Sequence, residues 1–340
     1  MLKKLIVFLC MVIIAIRPAV YAQEEAPPPL KAFEPFKMVF LPDINLSFSE
    51  KSDKILFNES LVIFQDVIKT LNNAVKPNFV VFGGDLTYNE DGKFTDLPMF
   101  LDTASDLDSV FYAIMGDREA NLDETSSKEV FMKEFGEFDL ETAEQTFWVI
   151  EPVTNVLLIG LDTSMKNDLS NDEKPGYLNL QQLFWLDTVL DNNRDKFTII
   201  TMHHSAIKTC DFDNNKWERF TLSRPSLFLE LLSRYPQVKL VLSGHHYNNY
   251  AKMHNGTLFM SFSSITVYPN TYKALTIHPD RVEVDNRKIS FKQIIKKAEK
   301  LLAESEYAKE YSAQKPRSVL KFHEGEGFSR KKVYSLIKEK

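Results

Sequence analysis

Cysteine and positive charge are both scarce in this sequence, and each scarcity excludes a class of protein. Only two of the 340 residues are cysteine. One of them, Cys10, lies in an N-terminal segment that we expect to be removed, so Cys210 has no partner for an internal disulfide. Aspartate and glutamate (47) outnumber lysine and arginine (41), which gives a net charge of −6. Nucleic-acid-binding proteins usually carry a basic surface, so we expect no nucleic-acid partner.

The N-terminus has the pattern of a secretory leader. Lys3 and Lys4 precede an apolar run over residues 5–16, and Val20-Tyr21-Ala22 offers small residues for cleavage before Gln23. Spanning a bilayer takes about 20 apolar residues, so an uncleaved anchor is the less favoured alternative. We predict a signal peptide over 1–22 and a proline-containing linker over 23–36. The mature chain would then be periplasmic or secreted, with no stable membrane insertion.

Strand and helix patterns alternate along the rest of the chain. Apolar runs such as 79–82 and 197–202 indicate buried strands, whereas residues 55–74 and 179–190 carry apolar residues at helical spacing. Such alternation predicts an α/β protein whose sheet faces are covered by helices. We assign 37–288 to one domain. Residues 289–340 form a helical extension and tail, whose amphipathic stripe could pack on that domain or on a partner.

Polar residues that can bind a metal follow five of the predicted strands. The clearest case is the run 78–82, which is followed by Gly83, Gly84 and Asp85, with Tyr88 three residues later. Ligands bind at the carboxyl ends of strands in α/β proteins, and a buried carboxylate must be paired or bind a cation. A single acid there could equally be a solvated turn residue. Five strand ends carry such residues: Asp43 with Asn45, Asp85 with Tyr88, Asp117, His203 with His204, and His245 with His246.

Carboxylates and imidazoles at five strand ends favour a shared metal site. Two cations about 3.5–4 Å apart can hold a phosphoester, neutralise its charge and lower the pKa of a water molecule. Two cations so close together need a shared anionic ligand, and we assign that role to Asp85. A serine hydrolase is disfavoured because the sequence has no G-x-S-x-G motif.

The ordered motifs between residues 37 and 284 resemble those of the calcineurin-like metallophosphoesterases. They are Asp43-Ile44-Asn45, Gly84-Asp85, Gly116-Asp117-Arg118-Glu119, His203-His204 and Gly244-His245-His246-Tyr247. The resemblance implies an αββα sandwich of two mixed sheets flanked by helices. It also implies an enzyme that hydrolyses phosphoric ester bonds with a metal-activated water at a di-metal, or possibly one-metal, centre, and the predicted signal peptide would export that enzyme. The Gly84-Asp85 and Tyr88 spacing is similar to that of the purple acid phosphatases, where a tyrosine binds ferric iron.

The resemblance also implies individual roles. One metal position would be held by Asp85, Asp117, His203 and His245. The other would be held by Asp43 and Asp85, with Tyr88, Asn45 and Tyr247 as further candidates. Asn45 and Tyr247 stand where the family usually has histidine, which makes this second position all-oxygen and suits magnesium, manganese or ferric iron better than zinc. We expect one or two ions of manganese, iron or zinc per chain.

Arg118 stands where the family has a histidine that helps catalysis. Arginine does not release a proton near neutral pH, but it can bind phosphate oxygens bidentately. We therefore expect Arg118 to stabilise charge and His204 or His246 to supply the proton, unless Arg118 simply pairs with Glu119 or Asp117. The missing histidines leave an alternative, a catalytically impaired relative that acts as a binding module. The substrate is a small phosphoester of unspecified class, and the sequence does not indicate the oligomeric state.

Overall fold

The computed structural model describes residues 27–48, 53–88, 94–120, 124–135, 146–164, 175–214, 217–325 and 330–337. The predicted signal peptide and the start of the predicted linker lie outside these ranges. None of the helices within the described ranges is long and apolar enough to cross a membrane.

Two mixed six-stranded sheets form the framework of the molecule. The first sheet has the order β12-β11-β10-β1-β2-β3, and the second has the order β4-β5-β6-β7-β9-β8. The strands of the first sheet are β1 (Phe36–Leu41), β2 (Phe79–Phe82), β3 (Val110–Ala113), β10 (Thr271–Ile277), β11 (Arg281–Lys288) and β12 (Lys331–Ser335). Those of the second are β4 (Trp148–Val153), β5 (Val156–Gly160), β6 (Phe197–Thr201), β7 (Val238–Ser243), β8 (Tyr250–His254) and β9 (Thr257–Ser261).

Helices cover the outer faces of both sheets. They are α1 (Ser60–Thr70), which continues into a π-helical turn (Leu71–Val75), α2 (Leu97–Ser105), α3 (Glu124–Phe135), α4 (Leu180–Asn192), α5 (Pro225–Ser233), α6 (Lys292–Glu304), α7 (Glu306–Tyr311) and α8 (Ser318–Glu324). Two short 3₁₀ turns, Asp211–Asn214 and Glu218–Phe220, lie between β6 and α5. The arrangement confirms the predicted sandwich of two mixed sheets flanked by helices.

The central strands, such as β1, β2, β5 and β6, are largely apolar on both faces because both faces are buried. In β2, Phe79 and Val81 pack in the core between the two sheets, whereas Val80 and Phe82 pack in the core under the outer helices. A strand buried on both sides has no need of polar alternation, which explains the continuous apolar runs in the sequence.

The direction of the strands determines where their polar ends meet. Strands β1, β2 and β3 are mutually parallel, and so are β5, β6, β7 and β9. Their carboxyl ends therefore lie along one edge of each sheet, and all five polar strand ends singled out in the sequence belong to these strands.

The two ends of the described chain pack on this sandwich. In the predicted linker, Lys31 pairs with Asp195 at 2.8 Å and the ring of Phe33 lies 5.0 Å from that of Phe197. In the predicted extension, Ala298 and Leu302 of α6 join the core that contains α1. After α8, strand β12 pairs antiparallel with β11. The sequence did not predict β12.

Candidate metal centre

Three carboxylates and three imidazoles from the strand ends meet in one buried cluster, which we call the metal centre. Asp43, Asp85 and Asp117 follow β1, β2 and β3 of the first sheet. His203 and His204 follow β6, and His245 follows β7, both in the second sheet. All six residues are buried, and the most exposed of them, Asp117, has an exposed fraction of 6%.

The ligand atoms of the metal centre form two overlapping groups that share His245. In the first group, His203 Nε2 lies 3.0 Å from His245 Nδ1 and 3.5 Å from Asp85 Oδ1. In the second, Asp117 Oδ2 lies 3.4 Å from His204 Nε2 and 3.8 Å from His245 Nδ1. Within each group all ligand atoms lie within 4.8 Å of one another, a spacing that could accommodate a cation. Asp43 Oδ1 lies 3.9 Å from His203 Nε2, at the side of the first group.

Each histidine is oriented by a hydrogen bond on the nitrogen that faces away from the metal centre. His203 Nδ1 donates to the carbonyl oxygen of Gly83 at 2.7 Å, and His245 Nε2 donates to that of Arg219 at 3.2 Å. A neutral imidazole has one N–H, so the other nitrogen of each ring presents a lone pair to the centre. His204 Nδ1 lies 3.0 Å from the hydroxyl of Thr163, a residue that follows β5 and was not assigned a role from the sequence.

Several buried polar atoms of the metal centre have no hydrogen-bond partner in the described part of the chain. They are Asp43 Oδ1, Asn45 Oδ1, Asp117 Oδ2 and His204 Nε2. Leaving a buried polar atom unpaired costs about 1–3 kcal/mol. Four such atoms of ligand type in one cluster fit a bound cation, which would satisfy them together.

The electrostatics of the metal centre also fit a cation. Burial and the nearby charge of Asp85 raise the pKa of Asp43 well above its usual range. Burial would raise the pKa of Asp117 too, but the imidazoles of His204 and His245 lower it below its usual value. Burial and His204 hold the pKa of His245 well below its usual range, which keeps that imidazole neutral. Crowded carboxylates beside the neutral imidazole of His245 make a site that attracts positive charge.

The backbone around the metal centre is strained. Asp43, Asn45, Asp85, His245 and Tyr247 all have a positive φ, between 48° and 64°. For residues other than glycine such conformations cost about 1–3 kcal/mol each, and they concentrate at functional sites. The chain tolerates this strain where it directs candidate ligands into one cluster.

Glu119 holds the loop that carries Asp85, a role that the sequence analysis missed. Its Oε2 accepts the backbone N–H groups of Asp85 and Gly116, both at 2.8 Å, and its Oε1 accepts that of Leu86 at 2.9 Å. Burial and the charge of Asp85 raise the pKa of Glu119 to about 8. Both oxygens nevertheless accept N–H bonds, which is the pattern of an ionised carboxylate. The only available signal was its position two residues after Asp117.

Gly116 is required because the loop after β2 and the loop after β3 approach each other closely. A Cβ atom at this position would lie 2.3 Å from the backbone nitrogen of Asp85 and 2.4 Å from Asp85 Oδ1. The backbone N–H of Arg118 donates to the same Oδ1 at 2.9 Å. The glycine of this motif therefore lets the two loops share the carboxylate of Asp85.

The remaining predicted site residues lie around the metal centre. Asn45 donates to the carbonyl oxygen of Asp43 at 3.1 Å. The ring of Tyr88 lies 4.3 Å from that of Phe57, and the guanidinium of Arg118 lies over the same tyrosine at 4.4 Å. Tyr247 packs in a small apolar cluster that also contains Phe57. The roles assigned to these four residues stay predictions.

The two histidine pairs differ in where their side chains lie. His245 faces the metal centre, whereas Nδ1 of His246 lies 3.1 Å from the hydroxyl of Thr209 and 3.7 Å from Asp213 Oδ1. His203 and His204 both face the centre, one in each ligand group.

Comparisons with known proteins agree with this geometry. No family model matches the chain. A probable glycerophosphodiester phosphodiesterase of Arcobacter nitrofigilis is 28% identical over 224 residues, which are 63% of this chain and 74% of that protein. A probable cyclic nucleotide phosphodiesterase of Coxiella burnetii is 30% identical over 114 residues, which are 34% of this chain and 45% of that protein.

A solved structure shares the fold. The chain superimposes on a dimetal phosphatase from Danio rerio with a TM-score of 0.62 and 16% identity, over 75% of this chain and 97% of that one. The fold and the buried aspartate and histidine groups define a metallophosphoesterase. The chain is similar to the calcineurin-like metallophosphoesterases, in sequence through its phosphodiesterase relatives and in fold through this structural neighbour.

Proposed function

We propose that this chain is an exported metal-dependent hydrolase of phosphodiesters. The observation that carries the proposal is the convergence of Asp85, Asp117, His203, His204 and His245 in two ligand groups that share an imidazole. The relatives described as phosphodiesterases support the choice of a diester over a monoester. Export rests on the leader pattern of residues 1–22, and N-terminal sequencing of the mature protein tests it.

The residues fit one or two cations of manganese, iron or zinc. Asp85, His203 and His245 would hold one cation, with Asp43 beside them. Asp117 and His204 would hold the other, with Asp85 as the shared anionic ligand expected from the sequence, because the single lone pair on His245 Nδ1 can bind only one of the two cations. When bound, the cations supply charge neutralisation for the phosphoester and lower the pKa of a water molecule.

The side chains around the metal centre supply the remaining functions. Arg118 is half-buried, its backbone N–H donates to Asp85 Oδ1, and its guanidinium lies over the ring of Tyr88. A diester carries one negative charge, which one guanidinium can neutralise with two parallel hydrogen bonds. His204 presents Nε2 to the centre while Thr163 holds Nδ1, so it serves either as a ligand or as the donor of a proton to the leaving oxygen. The metal content of His204→Gln separates these roles, because only a ligand role lowers it.

The experiment compares a diester and a monoester under controlled metal loading. The purified protein is stripped with a chelator, resupplied with manganese, iron or zinc, and assayed by elemental mass spectrometry. Hydrolysis of bis(p-nitrophenyl) phosphate is then measured beside that of p-nitrophenyl phosphate. We expect metal-dependent hydrolysis that favours the diester. A protein that binds metal but hydrolyses neither ester would instead be a binding module, and a preference for the monoester would overturn the assignment to diesters.

A further inference from the structure

Cys210, Asp213 and His246 form a second cluster of ligand-type side chains, separate from the metal centre. Cys210 and Asp213 belong to the loop after β6, and His246 belongs to the turn after β7. Cys210 Sγ lies 2.9 Å from Asp213 Oδ1, and His246 Nδ1 lies 3.7 Å from the same oxygen. The three ligand atoms lie within 4.8 Å of one another. We propose that this cluster is a further metal site, which binds a zinc-like cation through one thiolate, one carboxylate and one imidazole.

The carboxylate of Asp213 is fixed in the orientation that such a site needs. Its Oδ2 accepts hydrogen bonds from the backbone N–H of Thr209 at 2.5 Å, from that of Cys210 at 3.1 Å and from the hydroxyl of Thr209 at 3.0 Å. Its Oδ1 is thereby turned toward Cys210 and His246. Hydrogen bonds that orient a ligating carboxylate are a regular part of metal sites.

His246 has an unsatisfied nitrogen that metal binding would resolve. The hydroxyl proton of Thr209 is directed to Asp213, so in the absence of a cation Thr209 accepts the proton on Nδ1 of His246. That arrangement leaves a bare lone pair on Nε2, which is buried and has no hydrogen-bond partner in the described part of the chain. The rings of Trp217, Phe220 and Phe322 lie 5.2, 4.4 and 5.1 Å from the imidazole. A cation on Nδ1 would move the proton to Nε2, where an N–H among aromatic rings is better accommodated than a lone pair.

The ligand set indicates the class of cation. Thiolate, imidazole and carboxylate together suit zinc and similar transition metals, whereas magnesium and calcium prefer oxygen alone. Burial and Asp213 raise the pKa of Cys210 to about 12, so the thiol is protonated until a cation displaces its proton. Binding therefore releases that proton to solvent and strengthens as the pH rises.

A cation at this site would tie together two segments that orient the metal centre. His246 is the neighbour of His245, and the ring of Phe220 packs on both imidazoles. The loop that carries Cys210 and Asp213 leads to Arg219, whose carbonyl oxygen accepts the Nε2–H of the His245 imidazole. The proposed role of the site is structural, because it fixes the position of His245.

Cobalt substitution tests the site without relying on activity. The full chain, kept reduced, is titrated with Co²⁺ and monitored for the near-ultraviolet charge-transfer band of a cobalt–thiolate bond. The metal centre contains no cysteine, so the band reports on the thiol alone. We expect a band in the wild type and in Cys10→Ser, and its loss in Cys210→Ser. Asp85→Asn should keep the band, because it changes only the metal centre.

Zinc content provides the second measurement. We expect Cys210→Ser to bind about one zinc ion per chain fewer than the wild type and to keep its circular dichroism spectrum. A reduced wild type that shows no thiolate band at saturating Co²⁺ would overturn the proposal. So would a band that survives in Cys210→Ser, or a zinc content that the substitution leaves unchanged.

Discussion

The carboxylate of Glu119 accepts the backbone N–H of Asp85 at 2.8 Å, so one acidic side chain positions the main chain of another. It holds Leu86 and Gly116 in the same way. Glu119→Gln would place an amide NH₂ against at least one of these N–H groups. We expect a loss of about 1–3 kcal/mol in the free energy of unfolding, measured by urea denaturation, and weaker metal binding.

The matched control for this substitution is Glu134→Gln, which makes the same change on the exposed side of α3. The control should leave both the stability and the metal content unchanged. Equal stability of Glu119→Gln and Glu134→Gln would show that Glu119 does not support the Asp85 loop.

Asp85 is predicted to bridge two cations. Asp85→Asn keeps the size of the side chain but removes its charge, so metal binding at the metal centre and hydrolysis should be lost together. Elemental analysis and the diester assay measure the two losses. Asp102→Asn, on the exposed face of α2, serves as the control and should change neither. Retained hydrolysis in Asp85→Asn would remove the bridging role.

His203 and Asn45 should differ in their importance for metal binding. His203 Nε2 lies within 3.0–3.9 Å of ligand atoms of His245, Asp85 and Asp43, whereas Asn45 donates its amide to a backbone carbonyl. We therefore expect His203→Ala to lower the metal content much more than Asn45→Ala. Equal losses, measured by elemental mass spectrometry, would contradict a larger contribution of His203 than of Asn45 to metal binding.

Much of the metal centre could be predicted because strand ends are visible in the sequence. Apolar runs end at Asp85, His203 and His245, and parallel strands bring such ends to one edge of a sheet. The part played by Glu119 was not visible, because it acts through backbone N–H groups that only the folded loops bring together. The cluster of Cys210 with His246 joins residues far apart in sequence, and no spacing indicates it.

The fold was predictable to a similar extent and for a similar reason. Strands buried on both faces leave apolar runs, and β2 and β6 were recognised from them. Strand β8 has the sequence YAKMH, and β12 has KKVYS. Both are short and polar at the edges of their sheets, so their pairing depends on the neighbouring strand rather than on their own composition.

The helical extension should influence the metal centre through Arg219. The carboxylate of Glu310 in α7 binds the guanidinium of Arg219 at 2.9 and 3.3 Å, and the carbonyl oxygen of Arg219 holds His245. Glu310→Gln should weaken metal affinity, because the carbonyl is then less firmly placed. We expect a competitive metal titration to show a decrease smaller than the roughly 10- to 100-fold that is typical when a residue directly orienting a ligand is changed.

Glu306→Gln is the control for Glu310→Gln. It removes a carboxylate from the same helix, but that carboxylate is exposed and pairs with Lys309. Its metal affinity should equal that of the wild type. An unchanged affinity in Glu310→Gln would show that the extension does not support His245.

Lys273 should make the stability of the protein depend on pH. Burial lowers its pKa from the usual 10.5 to about 7. Between these values the unfolded chain binds the proton and the folded chain does not, so the free energy of unfolding of the wild type rises with pH. Lys273→Met lacks this dependence. The free energy of unfolding of the variant should therefore exceed that of the wild type by on the order of 4 kcal/mol at pH 7, and by less as the pH approaches 10.

Urea denaturation of both proteins across this pH interval measures the difference. Lys296→Met, an exposed substitution on α6, should give a difference that does not change with pH. A pH-independent difference for Lys273→Met as well would show that Lys273 keeps its ordinary pKa in the folded protein.

Strand β12 has a consequence for handling the protein. It forms the outermost strand beside β11, and it is short and begins with Lys331 and Lys332. Removing it would expose the edge of β11 along residues 281–285, whose unpaired N–H and C=O groups would be available to another molecule. Truncation after α8 should therefore promote edge-to-edge aggregation, so purification tags and shortened versions should leave residues 330–337 intact.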